Sequence, residues 1–250
     1  MKKHLIYPTG TTGACQYAVR TLQRAGLNMV DHPTPEVTHL LLDVPSFSAN
    51  GQLRSGGALE KVLETLPEYI TIVGGNLDTT VLDGYRKIDL LRDEEYLAKN
   101  AWITAECALQ VASPLLTTTL QETPTLIIGW GRIGKCLGQL LKAISCNVTV
   151  AARKNTDRAM LHALGYKTVA PEQLTDLRSY RLIVNTAPAP VIPEEMLARC
   201  SNCVKLDLAS QQGLIGKDVV WARGLPGIHA PESSGQLIAD TFLRLWKEEM

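Results

Sequence analysis

The chain has 250 residues, with 25 Lys plus Arg against 25 Asp plus Glu and therefore no formal net charge. Such a balance argues against nucleic acid or an anionic membrane as the main partner, since both select a positive field. With 45% apolar and 20% charged residues the composition is that of a globular protein, and a chain of this length buries about 70–75% of its unfolded surface without a disulfide or metal staple.

The amino terminus, MKKHLIYPTG, has the two lysines of a secretory n-region, but its apolar run is Leu5–Tyr7 and stops at Pro8 and Gly10. A signal peptide needs roughly 7–15 apolar residues and a spanning helix roughly 18, so a cytoplasmic protein is expected. Six cysteines, Cys15, Cys107, Cys136, Cys146, Cys200 and Cys203, are read as reduced thiols. Cys200 and Cys203 form a C-x-x-C, which falls short of four ligands, so no metal is expected.

The chain then alternates strand, turn and helix, the rhythm of parallel sheets flanked by helices. In the first half, strands are expected at His4–Tyr7, Leu27–Asp31, His39–Asp43, Ile70–Val73 and Arg86–Leu90, with helices at Ala14–Ala25 and Gly57–Leu66. Between Pro45 and Gly57 lies a polar, glycine-rich loop following a strand, the edge at which open α/β sheets bind ligands. Asp93–Leu120 reads as helix interrupted at Pro114, which lacks a backbone donor. A second series has strands at Thr125–Ile128, Asn147–Ala151, Lys167–Val169, Leu182–Asn185, Val204–Asp207 and Val219–Arg223, and helices at Arg132–Ile144, Thr156–Leu164, Pro171–Leu177 and Pro193–Arg199. Glu232–Glu248 is an amphipathic helix with Leu237, Ile238, Phe242, Leu245 and Trp246 near one face. The fold class is α/β: two Rossmann-like or flavodoxin-like parallel-sheet lobes with a cleft between them. Residues 1–98 are the substrate lobe, 99–231 the dinucleotide-binding lobe, and 232–250 a helix free to return to the first.

The sharpest local signal is Gly129-Trp130-Gly131-Arg132-Ile133-Gly134, directly after the apolar strand TLII and directly before a helical pattern. Gly129 suits the tight turn, Gly131 close approach of a pyrophosphate, and Gly134 close helix–sheet packing, with the anion over free N–H groups at the helix start. Arg132 is placed to reach a cofactor phosphate. The next strand ends in Ala151-Ala152-Arg153-Lys154. An NAD enzyme carries an acid about 20 residues beyond the first glycine; small residues followed by two cations suit a 2′-phosphate instead, so Arg153 and Lys154 point to NADP, with NAD as the alternative. Two later strand ends, Asn185-Thr186-Ala187-Pro188 and Asp207-Leu208-Ala209-Ser210, are expected to border the nicotinamide end. Gly224–Pro231, with two glycines, two prolines and His229, reads as a rigid ligand-shaping loop.

The segments GWGRIG, VAAR, VNTAP, LDLAS, GLPGIHAP and SSGQLIA, in that order and spacing, resemble the A subunit family of dipicolinate synthase. The resemblance reaches back to Asn100–Glu106, where the family has an N-S-x-P-T-x-E-G type segment, and covers roughly residues 85–243; the first 80 residues match in layout only, and Tyr7-Pro8-Thr9-Gly10 departs from the family's glycine-rich start. It implies an oxidoreductase subunit that converts a dihydrodipicolinate-level ring to dipicolinate by hydride transfer to NADP. The substrate is a cyclic dicarboxylate, the partner a flavoprotein-like B subunit, and the context sporulation, with self-association left open. Two departures touch the substrate: Gln211-Gln212 stand where the family has an Arg after LDLAS, and His229 and Glu232 replace an apolar and a basic residue. Either removes positive charge from a site meant for a dianion.

His229 and Glu106 are the candidate bases. An imidazole ordinarily titrates near neutrality, and Glu106 matches the family's position in an apolar helical run, where a carboxyl needs a partner or a raised pKa. Substrate carboxylates are assigned to Ser46, Arg54, Thr104, Ser210 and the backbone of Pro226 and Gly227. Two other readings stay open: another NADP-dependent dehydrogenase of the 2-hydroxyacid type, and a non-catalytic NADP-binding subunit.

Overall fold

The computed structural model describes residues 4–248. The two lysines of the N-terminal reading and the last two residues of the segment 232–250 lie outside the described residues. The chain forms two compact units: one made of residues up to Asn100 together with those from Pro226 onward, the other of Ala101–Leu225.

In the first unit, β1 (Leu5–Pro8) leads to α1 (Gly13–Arg24), followed by β2 (Asn28–Met29), β3 (His39–Leu41), α2 (Leu59–Leu63), β4 (Thr71–Gly74) and β5 (Arg86–Asp89). The five strands are all parallel in the order β2-β1-β3-β4-β5, the flavodoxin-like order with its topological switch between β1 and β3. β3 and β4 are buried throughout, as strands covered on both faces must be, and Val37, Leu40, Leu42, Ile72 and Leu82 form the core beside them. α2 is shorter than the sequence pattern because Gly56 and Gly57 hold φ of +92° and +81°, left-handed values that delay helix entry.

α3 (Glu94–Ala112) runs directly into a single 3-10 turn at Ser113–Leu115, where Pro114 breaks the ladder as expected; residues 116–120, read as a continuation of the helix, are not helical. The second unit continues with β6 (Thr125–Ile128), α4 (Arg132–Ala143), β7 (Val148–Ala151), α5 (Asn155–Ala163), β8 (Lys167–Val169), β9 (Leu182–Asn185), α6 (Glu194–Ala198), β10 (Val204–Asp207) and β11 (Val219–Trp221). These six strands are parallel in the order β11-β10-β9-β6-β7-β8. Counted from β6, that is the doubly wound 3-2-1-4-5-6 arrangement, with its switch between β6 and β9. Leu126, Ile128, Ile183, Leu197 and Leu214 pack on one face. The helix expected at Pro171–Leu177 is only a 3-10 turn at Pro171–Gln173. Asp176 accepts from the Arg178 amide at 3.0 Å and from its guanidinium, a local side-chain bond that competes with helix continuation.

The rigid loop expected at Gly224–Pro231 is instead a short helix, α7 (Leu225–His229), leading after Ala230 into α8 (Pro231–Glu248). Gly224 enters it at φ +65°, Pro226 is tolerated in its first turn, and Pro231, lacking an N–H, ends one helix and opens the next. α8 packs along α1. A Cβ at Gly235 would lie 2.5 Å from Ala14 O and 2.8 Å from Ala18 N, so the two backbones meet where only glycine fits. Near the far end of α8, Arg244 pairs with Asp93 (2.6 Å) and Glu95 (3.1 Å), and Trp246 and Phe242 stack against each other and edge-on to His4 and His39, respectively. Burial, with the charges of His4 and Arg86, pushes His39 down to about 4. Among the described residues no helix is long and apolar enough to cross a membrane, and no three His, Cys, Asp or Glu side chains gather to hold a metal. The C-x-x-C thiols turn inward: Cys200 donates to Leu177 O at 3.2 Å, and burial pushes the Cys203 thiol up.

Candidate functional site

The switch point of the second sheet is built by glycine. Gly129, leaving β6, has φ +96°, and a Cβ there would meet Thr186 Oγ1 at 2.7 Å and Ala187 N at 3.3 Å. One at Gly134 would meet Gly129 O at 2.4 Å, so the first turn of α4 lies against the strand end with no room for a side chain. Gly131 is different: a Cβ there meets nothing within 4 Å. It is the N-cap of α4, no side chain caps it, and the first turn carries no acid. Serine, threonine or aspartate would satisfy the Ile133 or Gly134 amide at this position, yet glycine leaves those donors to an external acceptor. The three glycines thus form a cradle whose open member faces free space, and they fit a dinucleotide's pyrophosphate.

Facing the cradle from β9, the Thr186 amide and hydroxyl both donate to Ile128 O, at 2.8 and 3.0 Å. Behind it Asn185 donates to Ala187 O (2.9 Å) and to Asp207 Oδ1 (3.0 Å), and its own Oδ1 accepts from the Ala187 amide. Asp207 is fully buried and also accepts from the amides of Ala209 (2.9 Å), Gly213 and Leu214 (both 2.7 Å). A carboxylate with four donors has no capacity left for a cofactor; it shapes the loop that carries Leu208 and Ala209, both buried, and exposed Ser210. Ala209 O in turn accepts from Trp221 Nε1 at 3.0 Å. Pro188 is exposed beside Ala187.

At the end of β7, Arg153 and Lys154 are exposed, and Ala151 and Ala152 are buried. A residue the sequence did not single out stands behind them: Arg158, one turn into α5, donates to Ala152 O (2.6 Å) and Arg153 O (2.7 Å) and to Asn155 Oδ1. Trp130, inside the fingerprint, folds back on α4, with ring carbons 3.0 and 3.2 Å from where a Gly138 Cβ would be and its ring edge-on to Tyr166. Gly138 carried no recognisable motif, since its reason is the indole eight residues earlier. Arg132 and Ile133 open α4, the first exposed and the second half-buried.

The remaining sequence-derived residues lie elsewhere. In the first unit the Ser46 hydroxyl is buried, donating to Asp43 O (2.8 Å) and accepting from the Gly75 amide (3.0 Å). Its carbonyl takes the Arg54 amide at 3.0 Å, leaving the Arg54 side chain exposed. Pro226, Gly227 and exposed His229 fall in the same unit. Thr104 is buried on α3. Glu106 does not sit in apolar surroundings: it is exposed, and its Oε1 accepts from Trp102 Nε1 one turn earlier. An apolar run at helical spacing still leaves one face to water, and Glu106 is on it.

Residues 79–199 match the model of the NAD binding domain of D-isomer specific 2-hydroxyacid dehydrogenases. Over 244 residues the chain is 24% identical to the A subunit of dipicolinate synthase from Bacillus subtilis strain 168, covering 88% of this chain and 82% of that protein. The fold superposes on the crystal structure of the corresponding dipicolinate synthase protein from Bacillus halodurans with a TM-score of 0.84, at 21% identity and 98% coverage of both chains. On the crystal structure from Bacillus subtilis the TM-score is 0.81, at 19% identity and 99% and 97% coverage. The likeness in fold therefore extends along nearly the whole chain, including the first 80 residues. The domain match and these relatives support a dehydrogenase-like protein that takes a nicotinamide cofactor.

Proposed function

We propose that the chain is the NADP-binding subunit of an oxidoreductase that forms dipicolinate from a dihydrodipicolinate-level cyclic dicarboxylate, acting with a flavoprotein-like partner. The observation that carries it is the open glycine cradle at the β6–β9 switch, set in a chain similar over 88% of its length to the A subunit of a dipicolinate synthase. Gly129, Gly131 and Gly134 hold the pyrophosphate, assisted by Arg132 and Ile133 at the start of α4. Arg153 and Lys154 hold the 2′-phosphate. Thr186, Ala187, Pro188, Leu208 and Ala209 flank the nicotinamide end, and Asp207 keeps that flank in shape through its four internal bonds. When bound, the cofactor supplies two-electron chemistry by accepting a hydride, and aromatisation of the ring makes that transfer favourable.

The chain's own residues orient the ring and take its proton. Arg54 offers the exposed cation of the polar loop, and Ser46 supports it through the backbone rather than by touching substrate. Thr104, Ser210 and the backbone of Pro226 and Gly227 complete the contacts to the two carboxylates. His229, exposed on α7, is the proton acceptor, with Glu106, engaged by Trp102, as the competing candidate. A base must be unprotonated to act, so His229→Asn abolishes the acid limb of the kcat/KM profile in this reading and leaves NADP+ affinity unchanged; loss with Glu106→Gln instead moves the role to α3.

The test is turnover. The purified chain, mixed with its flavoprotein-like partner and the freshly generated ring substrate, reduces NADP+ and releases dipicolinate, whereas Arg153→Ala does so only at raised NADP+. The match of residues 79–199 to a 2-hydroxyacid dehydrogenase domain favours a second reading, which predicts turnover of a 2-hydroxy acid by the chain alone. Cofactor binding with neither activity would leave a non-catalytic NADP-binding subunit.

A further inference from the structure

We infer that Arg158 is the positioning residue for cofactor choice: it draws the two carbonyls of the β7–α5 turn toward itself and leaves the opposite side of that turn a donor surface, selective for a 2′-phosphorylated ribose. This inference rests on the NADP reading above and names what enforces it. In a doubly wound domain the end of the second strand is where the adenosine ribose 2′ position is read. A free 2′-hydroxyl is matched there by an acceptor, a phosphate by donors.

Arg158 is the fourth residue of α5, and helical side chains lean toward the N-terminus, so its guanidinium folds back under the turn. One nitrogen donates to Ala152 O at 2.6 Å and to Arg153 O at 2.7 Å, the other to Asn155 Oδ1. Each carbonyl shares a planar trans peptide with the next amide, so with C=O turned toward Arg158 the N–H groups of Arg153 and Lys154 point the opposite way. Among the described residues neither amide has a hydrogen-bond partner. Lys154 is the N-cap of α5 and makes no side-chain cap bond, so the helix start adds donors rather than an acceptor. Three cations, Arg153, Lys154 and Arg158, stand against one first-turn acid, Asp157. A ribose hydroxyl finds both carbonyls turned away, toward Arg158; a phosphate dianion finds amides, two exposed cations and a third charge beneath them.

The test compares adenosine 2′,5′-bisphosphate with 5′-AMP by calorimetric titration, which needs no turnover. Wild type prefers the bisphosphate. Arg158→Met keeps the apolar stem but removes the fork, and the preference falls about tenfold, the scale of one or two charge-assisted bonds. Arg158→Lys, with charge but no planar fork, falls in between, and it decides the matter if the methionine variant does not fold. Because Arg158 acts through the turn, the Arg153→Ala/Arg158→Met double variant loses little more than Arg153→Ala alone. Fully additive losses would make Arg158 a direct ligand and overturn its positioning role. A wild-type preference that survives both Arg158 variants overturns the inference while leaving the NADP reading intact; a wild type with no preference ends both.

Discussion

The two sheets place a strand–turn–helix unit at the same point of their topology and treat it in opposite ways. In the first unit, β1 passes through Thr9–Thr12 into α1, and Asp43, just beyond β3, reaches into that turn. It accepts from the Thr11 and Thr12 amides, each at 3.1 Å, and from the Thr12 hydroxyl, which itself caps the Cys15 amide. In the second, β6 passes through Gly129–Gly131 into α4 with no cap and no acid. One helix start is filled by the protein's own anion and the other is left for an anion from outside. The switch point supplies donors in both lobes; whether a neighbouring strand brings a carboxylate decides if a site exists. The thiol beside the filled turn follows the same logic: burial, with the Asp43 charge, pushes Cys15 up to about 12, which leaves it inert.

Gly134→Val should break the open turn outright. Its Cβ would start 2.4 Å from Gly129 O, a clash with backbone that cannot swing away, so nicotinamide dinucleotide affinity falls at least about 100-fold, with about 2–4 kcal/mol of stability lost. Titration and thermal melts on one sample separate the two losses. Asp43→Ala opens the filled turn: about 2–3 kcal/mol is lost with its charge-assisted bonds, cofactor affinity stays as in wild type, and inorganic phosphate raises the variant's Tm by more than that of wild type, which has the α4 turn alone to offer the ion. A phosphate response equal in both would erase the contrast.

The first unit also differs in its response to acid. His39, held down to about 4 by burial, stays neutral when folded and binds a proton more readily when unfolded. Its contribution is therefore present above about pH 6.5 and lost as pH falls toward 4, by up to about 3 kcal/mol. Urea midpoints against pH should show this slope, flattened by His39→Gln. The smallest effect is expected from Gly138→Ala. Its Cβ presses on the Trp130 ring at 3.0 Å, shifting the indole's fluorescence and weakening dinucleotide binding about threefold, since a flexible neighbour can yield a few tenths of an ångström.

The second unit is the more legible of the two in the sequence. Thr125–Ile128, Lys167–Val169, Leu182–Asn185 and Val204–Asp207 are strands with the limits their patterns set. For all but the edge strand Lys167–Val169, which has no buried residue, the reason is that buried parallel strands are short, largely apolar runs that end at turn residues. The cradle was legible because its glycine spacing stands directly between a strand pattern and a helix pattern. Of its three glycines Gly134 answers to a local backbone contact, Gly129 O, while Gly129 faces Thr186 and Ala187 and Gly131 faces open space. What the sequence hid depends on distant partners. Nothing beside Asp207 announces that the amides of residues 209, 213 and 214 consume its carboxylate, or that Ser46 is spent on Asp43 and Gly75. Arg158 looked like an ordinary helix-surface cation, since its role lies in carbonyl orientations fixed only when the β7–α5 turn forms. α7 was masked by two prolines and two glycines, residues that read as loop; Gly224, Pro226 and Pro231 are permitted at a helix boundary, and Gly227 sits in the middle of the short helix.

Gly131→Asp puts the contrast between the filled and the open turn to its sharpest trial. The position is exposed, a Cβ there touches nothing, and it is the N-cap of α4, where aspartate is among the best residues. The substitution copies into the second unit what Asp43 does in the first. Calorimetric titration of wild type and variant with NADP+ and NAD+, beside their melting curves, should show Tm unchanged or raised and binding of both dinucleotides weakened at least about 100-fold by a carboxylate placed where the pyrophosphate belongs. A folded variant that binds either dinucleotide as well as wild type would mean that the open turn is not where the cofactor sits.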